Sequence, residues 1–85
     1  MDRLSFIVLL VLRHAEAMDK YSAMTVREIA LSEELGVKEN TIFKKIKSLI
    51  ASGYVSKGMK DGKADTYFIT PEGCKHLEKE RGNKS

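Results

Sequence analysis

The chain has 85 residues, a mass of 9.6 kDa and a net charge of +3, with 42% apolar and 32% charged residues. This length excludes a second hydrophobic core and the enclosed pocket that most enzymes need. The apolar content excludes disorder, and a single cysteine excludes an internal disulfide. We therefore expect one binding domain over residues 1–81, a frayed tail over residues 82–85, and a reducing compartment, the cytoplasm.

A first helix is expected from Arg3 to about Ala17, with Asp2 as its N-cap. Its apolar run from Phe6 to Leu12 is too short for a membrane span, which takes roughly 20 residues, so no membrane partner is expected. This run covers the whole circumference of a helix, and one side of so small a domain cannot bury all of it. The sequence therefore predicts a homodimer through this helix. The residues expected in the dimer interface are Leu4, Phe6, Ile7, Leu9, Leu10 and Val11.

A short strand and two further helices are expected next. Thr25 and Glu28 fit a capping box, in which each side chain accepts a hydrogen bond from the other residue's backbone N–H. The second helix therefore begins here and runs through Leu35 to Gly36, because glycine suits the left-handed turn at a helix end. The third helix is expected within residues 38–53. Its apolar residues recur at helical spacing and form one stripe, which consists of Ile42, Ile46, Leu49 and Ile50.

The last third of the chain changes from helical to strand-like patterning. Residues 54–57 and 65–69 are rich in β-branched and aromatic side chains, and the segment between them contains an Asp61-Gly62 step suited to a tight turn. This pattern predicts a β-hairpin with lysines at its tip. Thr70 and Pro71 then place an N-cap residue before a proline at the first helical position, which predicts a short final helix.

The expected fold is mainly α with a small β-hairpin (α+β), in the order helix, short strand, helix, helix, hairpin, helix. Four segments are distinctive in combination: Gly36-Val37, Asn40-Thr41-Ile42, Leu49 with Gly53-Tyr54-Val55, and Tyr67-Phe68-Ile69-Thr70-Pro71-Glu72-Gly73. In this order of elements they resemble the winged helix-turn-helix core of MarR-like and PadR-like transcriptional regulators, over residues 24–78.

The resemblance implies a homodimeric transcriptional regulator that binds double-stranded DNA sequence-specifically. The third helix would enter the major groove, and the hairpin, or wing, would lie on the backbone or in the minor groove. Many such regulators are longer and carry extra helices that form an effector pocket. This chain stops about ten residues into its last helix, so we expect no small-molecule effector pocket.

The positive charge is concentrated in the middle of the chain. Residues 38–63 hold seven lysines against Glu39 and Asp61, a net charge of +5, whereas the rest of the chain sums to −2. With the apolar stripe of the third helix facing the core, its outer face carries hydrogen-bond donors and cations suited to the major groove. The expected DNA-binding residues are Arg27, Asn40, Thr41, Lys44, Lys45, Lys47 and Ser48 on the helices, and Lys57, Lys60 and Lys63 on the hairpin.

Within this set, Asn40 and Lys44 are the expected base readers, because asparagine can bond adenine twice and lysine can reach guanine. Lys45 and Lys47 flank the outer face and are the expected phosphate contacts, which set register and affinity. Phe43 borders the apolar stripe, and two alternatives stay open for it: packing at the edge of the core, or contact with a base or a thymine methyl group.

An alternative function is a winged-helix module for protein contact in transcription or replication machinery. The lysine-rich outer face argues against it, because the cores of protein interfaces are depleted in lysine. An enzyme is not expected, since the chain has no convergent set of catalytic residues. No cofactor or metal is expected either, because Cys74, His76 and His14 lack a full ligand set, and Cys74 is expected to be a small core residue.

Overall fold

The structure, a computed structural model, describes residues 1–32 and 36–82. Its elements are α1 (Arg3–His14), β1 (Met24–Thr25), α2 (Val26–Ser32), α3 (Glu39–Ala51), β2 (Val55–Lys57), β3 (Thr66–Ile69) and α4 (Pro71–Gly82). This order confirms the predicted one. Leu35, expected in the second helix, and residues 83–85 of the expected tail lie outside the described residues. Within the two described ranges, every helix is too short or too polar to cross a membrane.

Helix α1 begins at its predicted cap and ends before Ala17. The Asp2 Oδ1 atom accepts a hydrogen bond from the Ser5 backbone N–H at 2.8 Å. At the other end Glu16 adopts a left-handed φ of 57°, and the Ala17 backbone N–H donates to the Leu12 carbonyl at 2.9 Å. This Schellman arrangement satisfies a terminal carbonyl and turns Ala17 into the core. Glycine usually marks such a turn, and the glutamate in its place explains why the helix end was predicted too late.

The core surrounds α1, which contacts α2, α3, α4 and β3. Two residues expected in the dimer interface, Leu9 and Val11, are instead buried within the single chain, at 0% and 3% exposure. The expectation was wrong for them because three helices and the sheet cover α1 from several sides rather than from one. The other four expected residues are half-buried and pack against the core from its edge: Leu4, Phe6, Ile7 and Leu10.

Helices α2 and α3 form the predicted pair. The capping box is confirmed, because the Thr25 backbone N–H donates to Glu28 Oε1 at 2.8 Å and the Glu28 N–H donates to Thr25 Oγ1 at 3.1 Å. Helix α3 packs against α1 and α2. The predicted stripe of α3 is confirmed as buried at Ile42, Ile46 and Leu49 and as half-buried at Ile50.

The three strands form an antiparallel sheet in the order β1-β3-β2. Beyond β2 and β3 the hairpin closes where Asp61 and Ala64 exchange backbone hydrogen bonds of 2.9 and 3.1 Å. Gly62 and Lys63 are therefore the two central residues of the turn, and the φ of 65° at Gly62 is one that glycine adopts without strain. We call residues 57–66 the wing.

The start of α4 is tied to the end of α3. The Thr70 hydroxyl accepts a hydrogen bond from the Gly73 backbone N–H at 3.0 Å and donates to the Gly53 carbonyl at 2.7 Å, so Thr70 is the cap that the sequence predicts. A Cβ atom at Gly73 would overlap the Tyr54 carbonyl oxygen. As expected, Cys74 packs against the core, and it is half-buried.

Candidate nucleic-acid interface

The outer face of α3 is the side turned away from the buried stripe. Helical periodicity places Asn40, Lys44 and Lys47 together on it, because they lie three and four residues apart. Their side chains are exposed, and so are those of Thr41 and Ser48. The structure therefore brings together five of the predicted DNA-binding residues on one convex surface.

Lys45 is set apart from this surface. It is only half-exposed, and its Nζ atom lies 2.9 Å from Oδ2 of Asp2. The pKa of Asp2 is lowered to about 2, mainly by the hydrogen bond from the Ser5 backbone N–H and to a smaller extent by the Lys45 side chain. Lys45 therefore neutralises the carboxylate that caps α1, whereas the sequence suggested a phosphate contact.

The wing carries the remaining predicted lysines. Lys57 Nζ lies 3.7 Å from Oδ2 of Asp65, so its charge is partly matched within the wing. Lys60 and Lys63 are exposed near the turn. The Thr66 hydroxyl donates to the Met59 carbonyl, which joins the two sides of the wing above the strands. The wing therefore presents three exposed lysines on a hydrogen-bonded ribbon, and the charge of one of them, Lys57, is partly matched by Asp65.

A cleft of about 600 Å³ separates the wing from the first half of α3. Four carboxylate residues of the described chain line this α3–wing cleft: Glu28, Glu39, Asp61 and Asp65. Glu28 is engaged in the capping box and Asp65 faces Lys57. Sequence reasoning missed this acidic lining, because its members come from three separate segments. Glu39 and Asp61 were visible only as the two acids within a basic stretch.

Arg27 and Phe43 also line the α3–wing cleft. Arg27 is exposed in the first turn of α2 and borders a second cleft between α2 and the start of α3. Phe43 is 38% exposed, and Lys47 Nζ lies 5.6 Å from the centroid of its ring. Phe43 therefore faces the cleft instead of packing in the core that Ile42 and Ile46 fill.

His76, which the sequence offers as a possible metal ligand, contacts an aromatic ring and a carboxylate. The His76 ring stacks on Tyr54, with ring centroids 4.4 Å apart and an interplanar angle of 14°, and its Nε2 atom lies 3.4 Å from Glu80 Oε1. In the part of the chain that the structure describes, no three His, Cys, Asp or Glu side chains are grouped as a metal site requires.

No protein-family model matches the sequence, and no curated protein matches it. Solved structures do match. TubR from Bacillus megaterium pBM400 superposes with a TM-score of 0.78 at 20% identity, over 92% of this chain and 83% of TubR. A MarR-family transcriptional regulator from Rhodococcus sp. RHA1 superposes with a TM-score of 0.79 at 16% identity, over 96% of this chain. The chain has the winged helix-turn-helix fold.

This winged helix spans about half of two of the proteins it resembles. It covers 54% of the Rhodococcus regulator and 51% of BpsR from Bordetella bronchiseptica, which matches with a TM-score of 0.75 at 18% identity over 93% of this chain. The DNA binding of BpsR is regulated by 6-hydroxynicotinic acid. A small molecule therefore regulates one protein that contains this fold, in mild conflict with our expectation of no small-molecule effector pocket.

Proposed function

We propose that this winged helix is a sequence-specific double-stranded DNA-binding protein that regulates transcription. The observation that carries the proposal is that exposed lysines lie on both of the elements, α3 and the wing, between which the cleft opens. Lys44 and Lys47 are exposed on α3, and Lys60 and Lys63 are exposed on the wing that forms the opposite wall. Such an arrangement suits a duplex, whose phosphates run along both edges of each groove.

In this proposal α3 is the recognition helix and enters the major groove, while the wing follows the backbone or the adjacent minor groove. Asn40 is suited to adenine and Lys44 to guanine, and Lys47 is a phosphate contact. Lys45 takes a positioning role, because its ammonium is paired with Asp2. Contacts with the phosphate backbone of the DNA are further proposed for Arg27, Thr41, Ser48, Lys57, Lys60 and Lys63.

The acidic lining of the α3–wing cleft supports this mode of binding. Phosphates are repelled by the carboxylates inside the cleft and attracted by the lysines on either side of it, so the backbone is favoured at the edges of the cleft. If the duplex docks in a wrong register, its phosphates come close to these carboxylates, and the repulsion makes that register unfavourable. The carboxylates therefore help to set the register of the duplex on the protein.

We further propose that the regulator is a homodimer through α1 and α4. Phe6 and Leu10 of α1 form a groove of about 390 Å³ with His14 and Arg81. Both apolar side chains are only half-buried in the single chain. A two-fold dimer would present two recognition helices and require a pseudo-palindromic site, with half-sites about one helical turn apart.

Selection of bound duplexes from a random library tests the proposal first, because it reports DNA binding, symmetry and half-site spacing together. The selected duplex is then measured against Lys44→Glu/Lys47→Glu. A matched control is Lys75→Glu/Lys79→Glu, which makes the same charge change on exposed residues of α4 that do not line the α1–α4 groove. We expect the α3 variant to lose about 100-fold or more in affinity and the α4 variant to change only a few-fold.

Two results would contradict the proposal. Unchanged duplex binding by the folded α3 variant would leave the protein-interaction module of transcription or replication machinery as the better account. A shallow salt dependence would also contradict it. A dimer that neutralises eight to ten phosphates predicts a slope of log affinity against log salt of about −7 to −9, and a slope shallower than about −3 means that too few phosphates are contacted.

A further inference from the structure

The position of Phe43 on α3 relates it to the proposed base readers. Phe43 lies three residues after Asn40 and four before Lys47, so the three side chains form one row along the helix. Phe43 lines the α3–wing cleft, so this row borders the outer face on the side toward the wing. An aromatic ring therefore stands between an amide suited to a base and an ammonium suited to a phosphate.

The Phe43 side chain is only partly buried. The core beneath α3 is filled by Ile42, Ile46 and Leu49, whereas 38% of Phe43 is exposed. Lys47 Nζ lies 5.6 Å from the ring centroid, within the range of a cation–π contact. The exposed part of the ring is therefore an apolar surface in the α3–wing cleft that is available to a partner.

The charges around the ring limit what that partner can be. The carboxylates of Glu28, Glu39 and Asp61 line the same cleft and disfavour a phosphate there. The apolar group that a base pair presents in the major groove is the C5 methyl of thymine, and phenylalanine is one of the side chains that contact it. A pyrimidine methyl fits both the apolar ring and the negative surroundings.

We propose that Phe43 is a specificity-determining residue that contacts the C5 methyl group of a thymine in each half-site. This inference rests on the proposed function, because it requires α3 in the major groove. The thymine lies beside the base that Asn40 bonds, on the side toward the wing. Phe43 then selects thymine over cytosine, which presents a hydrogen atom in place of the methyl group.

Deoxyuridine substitution tests the contact, because it removes the methyl group and keeps base pairing. Each thymine of the selected site is replaced symmetrically in both half-sites, and the affinity of the full-length protein is measured. We expect one position at which affinity falls about 15-fold, which is about 4-fold per half-site and the value of one buried methyl-sized group. The other thymines should change affinity less.

Variants assign that loss to the ring. Phe43→Ala should bind the thymine and uracil duplexes equally at this position, and Phe43→Leu should keep part of the discrimination. The Lys44→Ala variant is the control, since it should bind more weakly and retain the full ratio.

Three outcomes overturn the inference. The inference is wrong if the duplex is bound and no thymine shows the effect. It is also wrong if Phe43→Ala still discriminates thymine from uracil or, where Phe43→Ala does not fold, if Phe43→Leu discriminates as strongly as the natural chain. In both cases the proposed function stands. If no duplex is bound at all, both are wrong.

Discussion

The ammonium of Lys45 lies 2.9 Å from Oδ2 of Asp2, which joins the middle of α3 to the residue that caps α1. The other oxygen of the same carboxylate accepts the Ser5 backbone N–H at 2.8 Å. One side chain therefore caps α1 and also contacts the proposed recognition helix. Since α1 also carries the proposed dimer surface, Asp2 connects the two surfaces that this function requires.

Replacing Asp2 should lower stability in a pH-dependent way. Asp2→Ala loses the cap and should cost about 1 kcal/mol at neutral pH, whereas Asp2→Asn keeps a cap and should cost less. The folded-state pKa of Asp2 is lowered from 3.8 to about 2, so its charge stabilises the fold above pH 3.8 and this contribution is lost as the pH falls toward 2. Urea unfolding should show that the free energy of unfolding falls less between pH 6 and pH 2 in Asp2→Asn than in the natural chain. Equal losses in both would contradict the pairing.

Replacing Lys45 should mainly affect stability, whereas replacing Lys44 should mainly affect DNA affinity. Lys45→Ala removes the partner of Asp2, so we expect a stability loss of up to about 1 kcal/mol and an unchanged salt slope of duplex binding. Lys44→Ala should leave stability within about 0.5 kcal/mol and weaken the duplex complex. Thermal unfolding and fluorescence anisotropy on both variants measure the two effects. The reverse pattern would return Lys45 to the phosphate contacts.

Neighbouring leucines of α1 should behave differently. Leu9 is fully buried, and Leu9→Ala should destabilise the fold by about 2–5 kcal/mol. Leu10 is half-buried in the α1–α4 groove, and Leu10→Glu should give a folded chain that no longer self-associates. Sedimentation velocity combined with circular dichroism distinguishes the two outcomes. A natural chain that stays a folded monomer at high concentration would refute the dimer.

Removing a carboxylate from the α3–wing cleft should strengthen duplex binding. Glu39→Gln removes one repulsive charge beside the proposed duplex, and we expect affinity to rise about 2- to 5-fold at low salt and less at high salt, because salt screens exposed charges. Glu72→Gln makes the same charge change on an exposed residue at the other end of α4 from Arg81, and it serves as the control. If Glu39→Gln binds no more tightly than this control, the cleft is not close to the phosphates.

Substitution by alanine should have different effects on stability at two glycines of α4. A Cβ at Gly73 would meet the Tyr54 carbonyl oxygen and Ile69 Cγ1, whereas a Cβ at Gly82 would have no atom of the described chain within 4 Å beyond its own helical turn. We expect Gly73→Ala to cost about 1–3 kcal/mol through overpacking. Gly82→Ala should cost nothing, since alanine has the higher helix propensity. Urea unfolding of both variants tests this, and a tolerated Gly73→Ala would mean that α4 can move away from the end of α3.

Local signals in the sequence determined the elements and most of the outer face of α3. The caps at Asp2 and Thr25 act within three residues, and the helical spacing of Ile42, Ile46 and Leu49 decides which side of α3 is buried. Once that side is known, the exposure of Asn40 and Lys44 follows. These features depend on neighbours along the chain, so the amino-acid order alone was sufficient for them.

Only the tertiary structure decided how many neighbours cover each element and which distant charges meet. It buried Leu9 and Val11 by surrounding α1, paired Lys45 with Asp2, and gathered Glu39 and Asp61 into one cleft. Periodicity identifies an apolar face but not the number of elements packed against it. Contacts between side chains far apart in sequence depend on how the helices and the sheet pack, and that packing is a property of the whole core.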